Sequence, residues 1–244
     1  MAEDATYPPL DTPKPVAEGV WVVDSGPQRL LGLSLPIRMT ALRLPDGGLW
    51  LHSPTRHTPA LQAALEALGP IRHMVSPNLV HWSHVSPWRK AVPRAAFWAA
   101  PGVVERARGQ DVELLPAVEL TDPPPQTWEG AFELAAFRAP GFVEFAFHHR
   151  PSATLVLTDV VQAMEPARLP TVTGLLARAI GAASPGGSTP VQLRLLLGRR
   201  RAENRATAER LLALSPERVV FAHGAWFERD GAARLREALG WLLG

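Results

Sequence analysis

The chain has 244 residues, 46% of them apolar, which is enough for the core of one domain, and its formal net charge is only +2. No apolar run approaches the roughly 18 residues of a membrane span. The acidic first six residues lack the apolar segment of a secretory signal, and the absence of cysteine excludes disulfides and thiolate ligands. Lys14 and Lys90 are the only lysines, so the basic residues are almost all arginine, and no zinc-finger spacing or RNA-recognition motif accompanies them. The expectation is a cytoplasmic protein that acts on a small molecule, with neither nucleic acid nor membrane as partner.

Residues 1–15 are rich in proline and poor in apolar anchors, and read as a surface or disordered tail ahead of a single domain over 16–244. Residues 20–24 read as a first strand. Residues 39–44 and 49–52 flank Pro45-Asp46-Gly47-Gly48, a hairpin signal because glycine permits positive φ. Thr58 with Pro59 predicts a helix start, Leu61, Leu65 and Leu68 its buried stripe, and Gly69 its end. A strand over 71–75 follows, then a loop rich in Pro and Trp. A short helix at 88–92, a strand at 96–99 and a helix over 101–108 complete the first half. The second half opens with strands at 132–137 and 142–147 and a β-rich run over 154–161. Helices are expected over 169–180, 199–214 and 232–243, with a strand at 219–222. Two halves that alternate β and α elements argue for an α/β layered fold.

Three of the apolar runs end on metal-ligand residue types. The run at 71–75 feeds His81 and His84, the run from Thr154 ends on Asp159, and the run from Val219 ends on His223. One shared site at the strand ends follows from that pattern; ordinary polar residues at strand–loop junctions are the alternative. Imidazoles and a carboxylate suit Zn or Fe, and three protein ligands plus water make a catalytic zinc pattern.

These stretches also resemble the metallo-β-lactamase superfamily, in particular a branch of it with a domain of unknown function. The similar stretches are Leu-Trp-Leu-His-Ser-Pro-Thr at 49–55, Pro-Asn with histidine at 77–84, His-Arg-Pro-Ser-x-Thr-Leu-x-Leu-Thr-Asp at 149–159 and Ala-His-Gly at 222–224. The resemblance implies a four-layer αββα sandwich with its site at one edge between the sheets. Laid over residues 79–84, the superfamily's His-x-His-x-Asp-His keeps His81 and His84 but has Leu79 and Ser83 in place of a histidine and the aspartate. The mid-chain histidine falls on Arg138, the bridging aspartate on Asp159 and the last histidine on His223. The implied ligand set is His84, Asp159 and His223 around one ion, with His81 a fourth ligand or a neighbouring polar group.

Arg138 would occupy the space of the missing first metal and grip an anionic substrate group, or else pair with a glutamate such as Glu144. His52 and Trp82 are candidates to approach or line the site, with structural roles as their alternatives; Trp88 and Trp98 read as core. His57 and His73 have no evident partner, His148 and His149 are expected at an exposed turn, and residues 199–201 read as a solvated arginine face. Three functions remain open. They are a metal-dependent hydrolase of an ester, lactone, amide or phosphoester, a metal-free binding or interaction domain, and a non-hydrolytic enzyme using Arg138 and the histidines for acid–base work.

Overall fold

A computed structural model of the protein describes residues 6–30, 33–114 and 116–244. The first sheet runs in sequence order from β1 to β7. Its strands β1 (Lys14–Ala17), β2 (Val20–Leu30), β3 (Leu33–Arg43) and β4 (Leu49–His52) are antiparallel neighbours. The remaining strands, β5 (Ile71–Ser76), β6 (Ala96–Ala99) and β7 (Val118–Glu119), are parallel additions. The change from antiparallel to parallel follows from the connections. The Pro45–Gly48 turn needs only a few residues, with Gly47 at φ +79 and Gly48 N–H donating to Asp46 Oδ1 at 2.9 Å. Each parallel step instead crosses over through a helix, namely α1 (Pro59–Glu66), α2 (Val85–Ala91) and α3 (Val103–Arg108). As the sequence predicts, α1 is capped by Thr58, whose hydroxyl accepts from Leu61 N–H at 3.1 Å, and Leu61 and Leu65 are fully buried.

The second sheet has the order β11-β10-β9-β8. Here β8 (Phe132–Ala139) and β9 (Phe142–His149) form a hairpin, β10 (Thr154–Val156) is antiparallel to β9, and β11 (Arg218–Val220) is parallel to β10. Strand β8 shows how the layers form. Phe132, Leu134 and Ala136 join the cluster shared with the first sheet, whereas Ala135, Phe137 and Ala139 face a second cluster with the helices. Between the sheets, Trp50 packs on Phe132 and Phe147, both at 4.8 Å, and edge-on to Trp128. Outside the second sheet lie α6 (Arg201–Ala213), α7 (Gly231–Ala238) and α8 (Gly240–Leu243), burying Leu211, Leu235, Leu239 and Leu242. With α1–α3 burying Leu61, Trp88 and Val103, this is the expected four-layer αββα sandwich. Two further helices, α4 (Thr171–Ala179) and α5 (Val191–Leu197), fill the long connection between β10 and β11. No helix among the described residues is long and apolar enough to cross a membrane.

Two expectations need correction. Residues 6–15, assigned to a tail, are tied down. Ser25 donates to Asp11 at 2.6 Å, Lys14 pairs with Asp24, and Lys14 begins a strand. Residues 1–5 lie outside the described residues. The predicted strand over 154–161 stops at Val156. Its next N–H, of Leu157, still bonds to Val220, but those of Thr158, Asp159 and Val160 all bond to the Glu144 side chain.

A candidate metal centre where the two sheets meet

The strand ends deliver three side chains to one point. From the first sheet, β5 leads into a turn opened by Asn78, whose carbonyl oxygen accepts from Val80 N–H (3.0 Å) and His81 N–H (3.2 Å). That turn lifts His81 toward the second sheet. From the second sheet, the end of β10 presents Asp159 and the end of β11 presents His223. The possible ligand atoms of His81, Asp159 and His223 lie within 4.8 Å of one another. His81 Nε2 is 3.2 Å from Asp159 Oδ2 and 3.3 Å from Oδ1, and His223 Nε2 is 3.2 Å from Oδ1.

Each member is aimed by a partner behind it. His223 Nδ1 faces the Pro36 carbonyl at 2.7 Å. A carbonyl only accepts, so Nδ1 carries the proton and a neutral ring offers its Nε2 lone pair to the centre. His81 Nδ1 meets the Ser53 hydroxyl at 2.6 Å, and Ser53 holds a left-handed φ of +53 at the end of β4. Asp159 Oδ2 accepts from Asn78 Nδ2 at 2.7 Å, and the same Nδ2 donates to Glu144 Oε2 at 3.0 Å. Asn78 thus uses both donors and both lone pairs of its amide. Gln162 Nε2 adds a bond to Asp159 Oδ1 at 3.3 Å.

The loop carrying His223 is secured from the first sheet. Arg38 donates to the carbonyls of Phe221 (3.0 Å) and Gly224 (2.7 Å) while paired with Asp24 at 2.7 Å, all in the interior. Gly224 is obligatory there, since its φ is +95 and a Cβ would lie 2.2 Å from the Ala163 carbonyl oxygen.

The electrostatics follow from this enclosure. Burial pushes the Asp159 carboxyl up, but the two imidazoles outweigh it and hold the group well below the usual range. Burial pulls His223 down, yet its hydrogen bond and charge attraction to Asp159 raise it overall. Glu144 is pushed up to about 7, first by burial and then by the charge of Asp159, against the pull of the three backbone N–H groups.

The other sequence candidates lie outside the three-residue cluster. His84 is outside the cluster: it stands at the start of α2, with Nε2 buried and unpartnered, and burial lowers its pKa. The reason is the Asn78 turn, which directs position 81 rather than 84 at the second sheet. Ser83 is exposed, and its hydroxyl accepts from Gln28 Nε2 at 3.5 Å. Arg138 points neither at Glu144 nor into the cluster, but pairs with Glu203 at 3.7 Å with its side chain 38% exposed. Trp82 is buried, its indole donating to the Leu79 carbonyl at 3.1 Å. His52 is 1% exposed and stacked on Trp50 at 5.7 Å. Burial, then the charge of His81, lowers its pKa to about 3. His148 and His149 are buried rather than exposed.

The roles of Asn78, Glu144, Ser53 and Arg38 at the centre were not foreseen from the sequence. Asn78 stood in the quoted Pro-Asn stretch, and Glu144 was a charged residue inside an apolar strand, 142–147, which was the one available signal.

The geometry by itself is that of an αββα sandwich with a candidate His–Asp–His centre at the sheet junction. A family model of a domain of unknown function, DUF4336, matches residues 17–105. A search of curated proteins returns no match. Among solved structures, a metallo-β-lactamase from Erythrobacter litoralis with β-mercaptoethanol in its active site superposes with a TM-score of 0.61 at 14% identity, covering 94% of this chain and 96% of its own. One from Pseudomonas aeruginosa in a mono-zinc form gives 0.60 at 12% identity, covering 95% and 94%. One from Pontibacter korlensis gives 0.58 at 12%, covering 94% and 97%. The chain therefore has the metallo-β-lactamase fold.

Proposed function

We propose that the protein is a metal-dependent hydrolase with a mononuclear centre held by His81, Asp159 and His223. The supporting observation is the spacing of the donors. Ligands ~2.1 Å from a tetrahedral ion lie roughly 3.4 Å apart; the nitrogen–oxygen separations here are 3.2–3.3 Å, and all three donors lie within 4.8 Å of one another. Two imidazoles aimed through protein acceptors, and a carboxylate held by an amide, are the outer-shell pattern that sets ligand orientation. A divalent ion bound there supplies Lewis acidity, polarising a substrate and lowering the pKa of water.

The chain's own residues do the rest. Pro36 and Ser53 hold the ring nitrogens that face away from the centre. Asn78 keeps Asp159 from rotating, and the three donor side chains, each only 10–11% exposed, limit water access. An ester, lactone, amide or phosphoester offers the electrophilic centre this chemistry needs.

A second reading has its own observation. Asp159 already satisfies both imidazoles without an ion, as a metal-free binding domain would. Zinc or iron loading of untagged protein, followed by metal analysis and melting, decides between them. Under the proposal, wild type holds about one ion per chain and Asp159→Ala loses most of it. A wild type that stays empty after loading overturns the hydrolase reading.

A further inference from the structure

Away from the centre, charge and apolar exposure are segregated into one stretch of chain. Residues 166–202 contain six arginines and no Asp, Glu, Lys or His. Since the whole chain has a formal net charge of +2, the remainder carries −4. The same stretch holds most of the exposed large apolar side chains among the described residues: Val172, Leu175 and Leu176 on α4, and Val191 and Leu195 on α5. Leu195 is 73% exposed and Val172 65%, values foreign to a packed helix face. The two helices abut, Val191 N–H donating to the Ile180 carbonyl at 2.8 Å.

The arginines flank this apolar ground. Arg178 lies one turn after Leu175, and Arg199 to Arg201 follow α5. Arg178, Arg199 and Arg201 have no carboxylate partner among the described residues, whereas Arg200 pairs with Glu203 at 3.2 Å and Arg168 with Glu165 at 3.2 Å. Arg194 turns inward to the Thr189 carbonyl.

From this we propose that the α4–α5 face docks on an anionic lipid bilayer surface. Exposed aliphatic side chains enter the headgroup–acyl boundary, and the unpaired guanidinium groups engage lipid phosphates. The net −4 of the remaining chain orients the molecule, being repelled by the surface that attracts this face. A second copy of the chain is a poorer occupant, because a symmetric contact would bring like-charged arginines together while the bordering Glu165 and Glu203 are already paired with Arg168 and Arg200. Nucleic acid is poorer too, because the five exposed apolar residues include no aromatic ring for base stacking. The sequence expectation of no membrane partner rested on the lack of a spanning segment, which surface docking does not need. The buried side of α4 is linked to the candidate centre: Leu35 packs against the cluster of Met164, Ala177 and Ala182, and the next residue, Pro36, holds His223.

The test is flotation of the full-length protein with vesicles of equimolar phosphatidylglycerol and phosphatidylcholine, against phosphatidylcholine alone. The expected result is binding to the anionic vesicles only, abolished near 1 M salt, where the Debye length falls to ~3 Å. At about fivefold per arginine, the triple variant Arg178→Glu/Arg199→Glu/Arg201→Glu should weaken binding ~100-fold or more. Leu175→Ser/Leu195→Ser should weaken it as well. Both variants should keep the wild-type melting temperature and metal content, because the replaced side chains are exposed. Four results would each overturn the proposal: no binding to anionic vesicles, equal binding to neutral ones, undiminished binding by either variant, or a wild-type dimer that the leucine variant dissociates. Competition in which duplex DNA displaces the vesicles would reassign the face to nucleic acid.

Discussion

Two segments leave their sheets to build the centre, and they are stabilised in opposite ways. The turn after β5 is held by its own side chain: the Asn78 side-chain oxygen accepts from the N–H groups of Val80 and His81 and carries His81 outward. The segment after β10 has no such device. Its three successive N–H groups are gathered by Glu144, a carboxylate from the neighbouring strand β9. Asn78 then joins the two, donating to both Glu144 and Asp159. The contrast separates the origins of the two candidate ligands' positions. His81 is placed by local turn chemistry and Asp159 by long-range packing, so damage to one device should be separable from damage to the other.

The largest effect is expected at Glu144. Glu144→Ala leaves three buried N–H groups without an acceptor at ~1–3 kcal/mol each, so it should cost roughly 3 kcal/mol even after its repulsion with Asp159 is relieved. Denaturant unfolding of the metal-free protein measures this; a loss below ~1 kcal/mol would mean the segment after β10 does not depend on Glu144. Asn78→Ala comes next. Because it removes the bridge from both segments, it should cost about 2 kcal/mol and weaken zinc binding ~10–100-fold, as loss of an outer-shell partner does. An effect on stability with none on zinc affinity would show that Asn78 serves the turn alone.

A pH effect of similar size sharpens the role of the ground beneath the cluster. His52 is buried neutral, its pKa lowered from 6.5 to about 3. Its contribution is fully present above pH 6.5 and is lost as pH falls from there toward 3, because the unfolded chain takes up the proton first. At pH 5 the loss should be roughly 2 kcal/mol, and His52→Phe, beside Trp50 and Phe147, should flatten that part of the stability profile. Should the variant lose stability with acid as steeply as wild type, another buried group controls the transition.

The smallest effects are expected at positions that the motif alone would rank highest. His84→Ala and Ser83→Asp should leave metal content within error of wild type, whereas His81→Ala should remove most of it. Metal analysis of the three variants side by side tests whether the Asn78 turn, rather than the motif register, selects the ligand.

How much of this was readable in advance depends on the range of the forces involved. The hairpin at Pro45–Gly48, the Thr58 cap and the alternation along β8 are set within a few residues, and β4, α1 and β8 lie close to the expected ranges, whereas β2 and β3 each extend six residues beyond them. The layered fold followed as well, because strands and helices of those lengths bury their apolar faces in few ways. Asp159 and His223 were visible as strand-end ligand types.

The choice of His81 over His84 was not, since it turns on which way one amide closes a turn against a second sheet. Nor was the early end of β10, which a carboxylate from another strand imposes. Arg138 stood in the motif's place, but the structure assigns it to Glu203 on a neighbouring helix. Periodicities, turns and the stock of ligand-type side chains were legible locally, because these depend on neighbours along the chain. Which of those side chains meet, and which buried polar groups hold them there, was decided only in the tertiary structure, where hydrogen bonds between residues 66 and 81 positions apart position the centre.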